Sequence, residues 1–123
     1  MKALLSIKPE FADKILSGEK RYEYRKQIFK QNVDTVLLYS TKPVGKIVGE
    51  FKVEKIVSGS NISLWEETKK YSGISWDFFN AYFSGRNKCF AIKIGTVKKY
   101  DTFIDPYLCF SNFVAPQSYK YIN

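Results

Sequence analysis

The chain has 123 residues, a length typical of one domain, and 45% of them are hydrophobic, which is enough to build a core and excludes a disordered tail. The formal net charge of +8 indicates a polyanionic partner, and nucleic acid is the usual one. The sequence has no His, which excludes the familiar zinc patterns and His-dependent nucleophilic catalysis, so we expect no metal site and no cofactor.

The sequence gives little indication of disulfide bonds or of a membrane-spanning segment. Two cysteines, Cys89 and Cys109, are too few for a disulfide framework and are typical of reduced thiols. No apolar run reaches the roughly 18 residues needed to span a bilayer, and the first ten residues do not form a secretory leader. We therefore expect a single cytoplasmic domain over residues 1–123, a monomer without membrane attachment.

The first 26 residues predict a strand, a helix and a second strand. Residues 2–7 are an apolar run, and Pro9 fits the first turn of the helix that follows. Gly18 suits the left-handed position that ends a helix. The segment 18–26, GEKRYEYRK, then has the character of a strand.

Two further strands are predicted before the middle of the chain. Residues 33–41 form an apolar run, and residues 46–57 carry charged side chains at alternate positions, which predicts one wet face. A break in this alternation near Lys55 predicts a bulge or bend.

Two short helices and a last strand come next. Ser63 and Glu66 have the spacing of a capping box, which predicts a helix that ends at Gly73. Ser75 is the predicted cap of another helix. Residues 88–100 alternate again as a strand, and the aromatic tail after them is expected to pack back on the body. Strands dominate, which predicts an α+β domain around a curved, largely antiparallel sheet or small barrel.

The order of these signals resembles the ASCH domain, a branch of the PUA-like superfamily. The hallmark of that family is a Gly-x-Lys-x-x-Glu-x-Arg segment after the first helix, here Gly18, Lys20, Glu23 and Arg25. The stretches SIKP, LLYSTKPVGKIVGEF and APQSYKYI are also similar to family members, so the resemblance covers nearly the whole chain.

The resemblance implies a PUA-like fold, a small mixed or antiparallel β-barrel flanked by short helices. It also implies a cleft lined by the Lys-Glu-Arg segment. The family is regarded as RNA-binding and is often tied to transcription or translation control. Certain small members are amidohydrolases on acylated nucleosides, and ribonuclease activity has been attributed to others.

The charged strand allows two interpretations. Arg21, Glu23 and Arg25 share one face of a regular strand, with the intervening tyrosines toward the core, whereas Lys20 can join them only through the turn at Gly18. Taken alone, the stretch favours a surface ion-pair cluster. The family resemblance favours a functional site, in which Arg25 orients Glu23 and binds a phosphate or base edge.

Four further residues are candidates for the same cleft. Ser6 and Lys8 end the first strand beside a helix N-terminus, which is a favourable place for an anion. Tyr39 and Ser40 end the third strand. Tyr39 could stack on a base or could equally lie in the core.

Two functions from different classes remain. The preferred one is binding of RNA, or of a nucleotide-like ligand, in the cleft built on Lys20, Glu23 and Arg25. The alternative is a small hydrolase, an amidohydrolase on acylated nucleosides or a ribonuclease, with Lys20 and Glu23 as catalytic residues. The amidohydrolase relatives carry Thr where this chain has Glu23, and a Lys nucleophile also needs a lowered pKa.

Overall fold

The computed structural model describes residues 1–122, which form one six-stranded sheet and short helices. The strands are β1 (Lys2–Ile7), β2 (Tyr22–Arg25), β3 (Thr35–Ser40), β4 (Lys46–Gly59), β5 (Cys89–Ile104) and β6 (Tyr119–Ile122). The helices are α1 (Pro9–Ser17), α2 (Asn61–Thr68), α3 (Trp76–Tyr82) and α4 (Pro106–Cys109), and a 3-10 turn spans Lys69–Tyr71.

The strand order is β2-β5-β4-β3-β1-β6. The pair β1–β3 is parallel, and every other pair in the described sheet is antiparallel. The sheet curls so far that its two ends meet: Arg25 on edge strand β2 contacts Ser118, next to the other edge strand β6, at 2.7 Å. This arrangement confirms the predicted α+β, PUA-like fold.

The long strands β4 and β5 bend because their pairing register shifts. One shift lies between Val53 and Lys55, at the predicted break in alternation, and another lies between Ile47 and Gly49. At such a shift one strand has an extra residue opposite its partner, and this residue increases the local twist. A 14-residue strand can therefore follow a curved sheet.

The core is divided because both faces of β1 are covered. Leu5 and its neighbours at alternate positions pack with Ile15 of α1 in the main cluster. Leu4 points the other way, into a cluster with Tyr39 and Phe113. A third cluster joins β2 and β5 to α2 and α3. The pocket described below is bordered by α1, β1, β2 and α3.

Two predictions about the helices have different outcomes. The predicted cap of α2 was wrong: the Ser60 hydroxyl accepts a hydrogen bond from the backbone N–H of Ser63, so the helix begins at Asn61 and Ser63 lies inside it. The serine three positions earlier satisfies the free N–H groups first. The cap at Ser75 is confirmed, since its hydroxyl accepts from the Phe78 N–H.

The aromatic tail contains elements that the sequence did not predict. It forms α4, and its last described residues pair with β1 as the antiparallel strand β6. The tail therefore completes one end of the sheet, in addition to packing on the body. Across residues 1–122, none of the helices has the length and apolar character needed to cross a bilayer.

Candidate functional site

A pocket of about 180 Å³ lies between α1, β1, β2 and α3. On one side it is bordered by β2, and on the other by the end of β1, beside the opposite edge of the sheet. Its lining residues are Ser6, Ile7, Lys8, Phe11, Lys20, Glu23, Tyr24, Arg25, Ile74, Phe78 and Tyr82. The structure thus brings together Lys20, Glu23 and Arg25, the charged segment expected to line one cleft.

Lys20 points inward because the chain turns sharply after α1. Gly18 adopts a left-handed φ of 86° at the end of the helix. The N–H of Lys20 then donates to the Lys14 carbonyl at 3.0 Å, and the N–H of Arg21 donates to the Tyr71 carbonyl at 2.9 Å. Since β2 begins only at Tyr22, the strand's alternation does not govern the direction of Lys20.

The Lys20 ammonium is held in a largely apolar environment. Its side chain is buried, with the residue 2% exposed, and Nζ donates to the Ser72 carbonyl at 2.6 Å. Nζ also lies 4.8 Å from the centroid of the Tyr24 ring, close enough for a cation–π contact. Burial lowers the pKa of Lys20 to about 8, against the opposing effect of the Glu23 carboxylate. Roughly a tenth of the side chains are therefore neutral at pH 7.

Glu23 and Arg25 form a shielded ion pair on β2. Arg25 Nη1 lies 3.2 Å from a Glu23 carboxylate oxygen, and the two side chains are 11% and 10% exposed. The second terminal nitrogen of Arg25 donates to the Ser118 hydroxyl at 2.7 Å. The guanidinium is therefore fixed from both ends of the curled sheet, with its orientation determined before any ligand arrives.

Arg21 does not join this pair, although a regular strand would place it on the same face. It lies one residue before β2 begins, and its side chain is exposed. Its Nε donates to the Gly18 carbonyl at 3.4 Å, and its guanidinium stacks 4.4 Å from the centroid of the Tyr71 ring. The expectation of a shared face is therefore wrong for this residue, because the pleat starts after it.

Tyr24 serves as both core and pocket wall. Its ring packs edge-to-face on Phe79 at 5.0 Å, and its hydroxyl shares a hydrogen bond with the Thr68 hydroxyl at 2.7 Å. Burial raises the pKa of Tyr24 to about 12, so the phenol stays protonated near neutral pH. The structure agrees with the expectation that this tyrosine packs on the core.

The aromatic wall was missed by the sequence reasoning. Phe78 and Tyr82 lie four positions apart on α3, so they face the pocket together, and Phe11 packs edge-to-face on Phe78 at 5.4 Å. The spacing was a usable signal, because Phe79 and Phe83, the residue that follows the helix, repeat it on the buried side. Phe78 is exposed in the free pocket.

Ser6 and Lys8 line the pocket at the end of β1. The Ser6 hydroxyl donates to the Pro116 carbonyl at 2.7 Å, which ties the tail to this edge. Lys8 precedes α1, and its side chain is exposed at the pocket. A role for either residue in binding stays a prediction.

Tyr39 and Ser40 do not line the pocket. The Tyr39 ring is buried against Phe113, and its hydroxyl lies 3.4 Å from that of Tyr107. Of the two expectations for Tyr39, the structure agrees with the core position, which leaves no free ring face for a base. Both residues pair with the pocket-lining end of β1, but Tyr39 packs in the cluster with Leu4 and Phe113, and Ser40 is buried.

The charge of the pocket favours an anionic or polar ligand. Three cations, Lys8, Lys20 and Arg25, face one anion, Glu23, so the pocket residues carry a net charge of +2 when Lys20 is protonated. Among residues 1–122, no cluster of three or more His, Cys, Asp or Glu is suited to a metal ion. The chemistry available is therefore that of buried cations beside aromatic rings.

The comparisons assign the chain to a family. The ASCH domain model matches residues 5–105. A Zymomonas mobilis protein named ASCH domain-containing ribonuclease is 33% identical over 90 residues, which cover 72% of this chain and 61% of that protein. Ureaplasma parvum large ribosomal subunit protein uL22 is 33% identical over 98 residues, 79% of this chain. The chain belongs to the ASCH domain family, which confirms the resemblance noted from the sequence.

The matches differ in extent. The aligned region spans about three fifths of the ribonuclease and about a third of the ribosomal protein. The crystal structure of ASCH from Zymomonas mobilis superimposes with a TM-score of 0.92 at 28% identity, over 99% of this chain and 87% of that one. The N-terminal domain of Staphylothermus marinus McrB, at a TM-score of 0.51 and 13% identity, shares the fold alone.

Proposed function

We propose that this domain binds single-stranded RNA by taking the base of one nucleotide into the pocket beside Lys20. The observation that supports this best is the buried ammonium of Lys20 between aromatic walls, next to the fixed guanidinium of Arg25. Single-stranded RNA is usually held by stacking of unpaired bases and by phosphate contacts, and this pocket offers both.

The pocket size limits what enters. A volume of about 180 Å³ is below the roughly 300–1,000 Å³ of pockets for drug-sized ligands, so it suits one planar ring. Phe78 supplies an exposed ring on which a base can stack. A free nucleotide-like ligand has the same chemistry, and competition with RNA would reveal it.

The cations have different roles in this proposal. Arg25 is already paired with Glu23, so its remaining donors are suited to a base edge or carbonyl. Lys20 has one acceptor, the Ser72 carbonyl, while an ammonium has three N–H donors. Lys8 is exposed at the pocket and suits the phosphate of the strand.

We further propose that this binding operates in the cytoplasm, in the control of transcription or translation. The family resemblance supports this, and so does the match to a protein named as part of the ribosome. The net charge of +8 is compatible with a long polyanionic partner.

A hydrolase remains the second candidate because of one specific property of Lys20. Burial lowers its pKa to about 8, so its neutral amine is available as a base or nucleophile at mildly alkaline pH. The relative named as a ribonuclease supports strand cleavage over amide hydrolysis. If the protein is a hydrolase, Lys20 and Glu23 act as the catalytic pair.

The test measures RNA binding and turnover in the same samples. A labelled single-stranded RNA is titrated at several salt concentrations, its length is checked on a denaturing gel, and an acylated nucleoside is assayed for amide hydrolysis. We expect binding that weakens steeply with salt. Lys20→Ala should cost about 1.5–3 kcal/mol of binding free energy.

Two variants complete the design. Lys93→Ala removes a cation that is half-exposed and outside the pocket, so it should leave the affinity nearly unchanged. Lys20→Arg keeps the charge and removes the amine, so binding should survive while amine-dependent turnover would not. An absence of binding at low salt would reject RNA binding. Turnover of either substrate that is lost in both Lys20 variants would favour the hydrolase, with strand cleavage or amide hydrolysis identified by the substrate consumed.

A further inference from the structure

The loop between the 3-10 turn and α3 holds two lysines by consecutive backbone carbonyls. Lys20 Nζ donates to the Ser72 carbonyl at 2.6 Å, and Lys14 Nζ donates to the Gly73 carbonyl at 3.0 Å. The Ser72 hydroxyl donates in turn to the Ile74 carbonyl at 2.8 Å, which braces the loop internally. The loop is therefore fixed against the segment that carries Lys20.

Gly73 lies directly against the aliphatic stem of Lys20. A Cβ atom placed on Gly73 would lie 2.7 Å from both Cβ and Cγ of Lys20, and 3.0 Å from its Cδ. Such separations are shorter than van der Waals contact, and the stem near the backbone cannot swing away as the end of a side chain can. Any side chain at this position would thus displace Lys20 or the loop that binds it.

The backbone conformation is a second reason for a glycine at position 73, separate from the contact with Lys20. Gly73 has a φ of +70°, a left-handed conformation that side chains other than those of Asn and Asp rarely adopt. Gly85 has nearly the same φ, +77°, but no atom lies within 4 Å of a Cβ built on it. The two glycines share the conformational demand, and only Gly73 contacts Lys20.

We propose that Gly73 is a positioning residue that seats the stem of Lys20 and so aims its amine into the pocket. The consequence for RNA rests on the function proposed above, whereas the consequence for Lys20 itself does not. The groups that act on the Lys20 charge are Glu23 and Lys14, and the Tyr24 ring lies beside it. A change at Gly73 leaves the chemistry of these three side chains the same, and of the three only Lys14 is bonded to the Gly73 carbonyl.

The experiment compares Gly73→Ala with Gly85→Ala. The pKa of Lys20 is followed by NMR of its side-chain Cε and Nζ signals, assigned with Lys20→Arg, and RNA affinity is measured on the same proteins. We expect Gly73→Ala to raise the pKa of Lys20 from about 8 toward the ordinary 10.5, because the displaced amine gains solvent. The same variant should weaken RNA binding by about tenfold, the scale of one charge-assisted contact. Gly85→Ala should change neither quantity.

The outcomes separate the two proposals. If wild-type protein binds no RNA, the proposed function fails, and the pKa comparison still decides the role of Gly73. If Gly73→Ala and Gly85→Ala give the same pKa of Lys20, the positioning role is overturned. Gly73→Asn and Gly85→Asn repeat the comparison with less backbone strain, in case the alanine variants do not fold. If both Gly73 variants fail to fold while both Gly85 variants fold, the contact serves the fold and the proposal is also overturned.

Discussion

Two ion pairs on this sheet differ in their exposure to solvent, and the distance between the charged atoms alone would suggest the wrong order of strength. Glu54 and Lys93, between β4 and β5, are 2.7 Å apart with side chains 51% and 36% exposed. Glu23 and Arg25 on β2 are 3.2 Å apart but only about a tenth exposed. Water and salt screen the shorter pair, whereas each member of the longer pair depends on the other for its charge to be compensated.

The buried pair carries a desolvation cost that the exposed pair does not. A buried ion pair can often be replaced by apolar residues without loss of stability. Here the pair is kept next to a second buried cation, Lys20, at the border of a pocket. This arrangement supports a role in binding, while the exposed pair is typical of an ordinary solvated surface.

The largest expected effect is on stability. Glu23→Ala leaves the Arg25 guanidinium buried without its carboxylate, which should lower the free energy of unfolding by about 3–5 kcal/mol. Glu54→Ala is the matched control, and it should cost about 1 kcal/mol or less. Urea unfolding of the two variants measures both values, and equal losses would remove the distinction between the pairs.

The next effect concerns RNA and the aromatic wall. Phe78→Ala removes the exposed ring, so binding of single-stranded RNA should weaken by about 1–3 kcal/mol if a base stacks there. Leu108→Ala truncates an even more exposed apolar side chain that does not line the pocket, so its affinity should stay at the wild-type value. Equal affinities for Phe78→Ala and the wild-type protein would place the base elsewhere.

A third test uses pH. Because burial lowers the pKa of Lys20 to about 8, the unfolded chain binds more protons than the folded one between about pH 8 and 10.5, and stability rises with pH in that window. Lys20→Met lacks this dependence. The stability of the wild-type protein relative to this variant should therefore increase by about 2 kcal/mol from pH 7 to pH 9.5.

Lys93 gives the opposite sign for comparison. Its hydrogen bond to Glu54 raises the pKa of Lys93, so any stability it adds is present at lower pH and is lost as pH rises through that pKa. Urea titrations at a series of pH values, on Lys20→Met and Lys93→Met, separate the two behaviours. A flat difference between wild-type protein and Lys20→Met would mean that Lys20 is solvated in the folded state.

The smallest effect concerns a neutral buried contact beside Lys20. Tyr24→Phe removes the hydroxyl that bonds Thr68 at 2.7 Å, which should cost about 1 kcal/mol of unfolding free energy. Tyr107→Phe removes an exposed hydroxyl 3.4 Å from its partner and should cost almost nothing. If the two variants lose the same unfolding free energy, the buried hydrogen bond of Tyr24 is no stronger than a hydrogen bond to water.

Local sequence signals predicted the parts of the fold that local physics determines. Pro9 and Gly18 mark the two ends of α1, and β4 bends near Lys55 as its broken alternation indicated. The cap of α2 was misplaced because either of two serines three residues apart could begin the helix, and only the folded chain shows that it begins after Ser60. Boundaries of this kind depend on small energy differences.

The site was predicted where a family motif existed and missed where only tertiary structure creates it. Lys20, Glu23 and Arg25 were expected together and line one pocket. Phe78 lines the pocket, and Ser118 contacts Arg25, from segments far along the chain. The four-residue spacing of Phe78 and Tyr82 was a local signal for a shared helix face, but nothing in the sequence showed that this face meets β2. Tyr39 was the reverse case, since a tyrosine at a strand end looks the same whether it faces solvent or the core.

The contact between Arg25 and Ser118 also has a consequence for the order of events during synthesis. The two residues are 93 positions apart, and β6, which follows Ser118, pairs with the first strand of the chain. While the ribosome is still making the middle of the protein, β2 lacks its partner strand β5, and the Arg25 guanidinium lacks its second anchor. The site therefore matures only after the last strand has been translated and docked, and a messenger cut short before that strand would yield a domain with most of its sheet and an unfinished pocket.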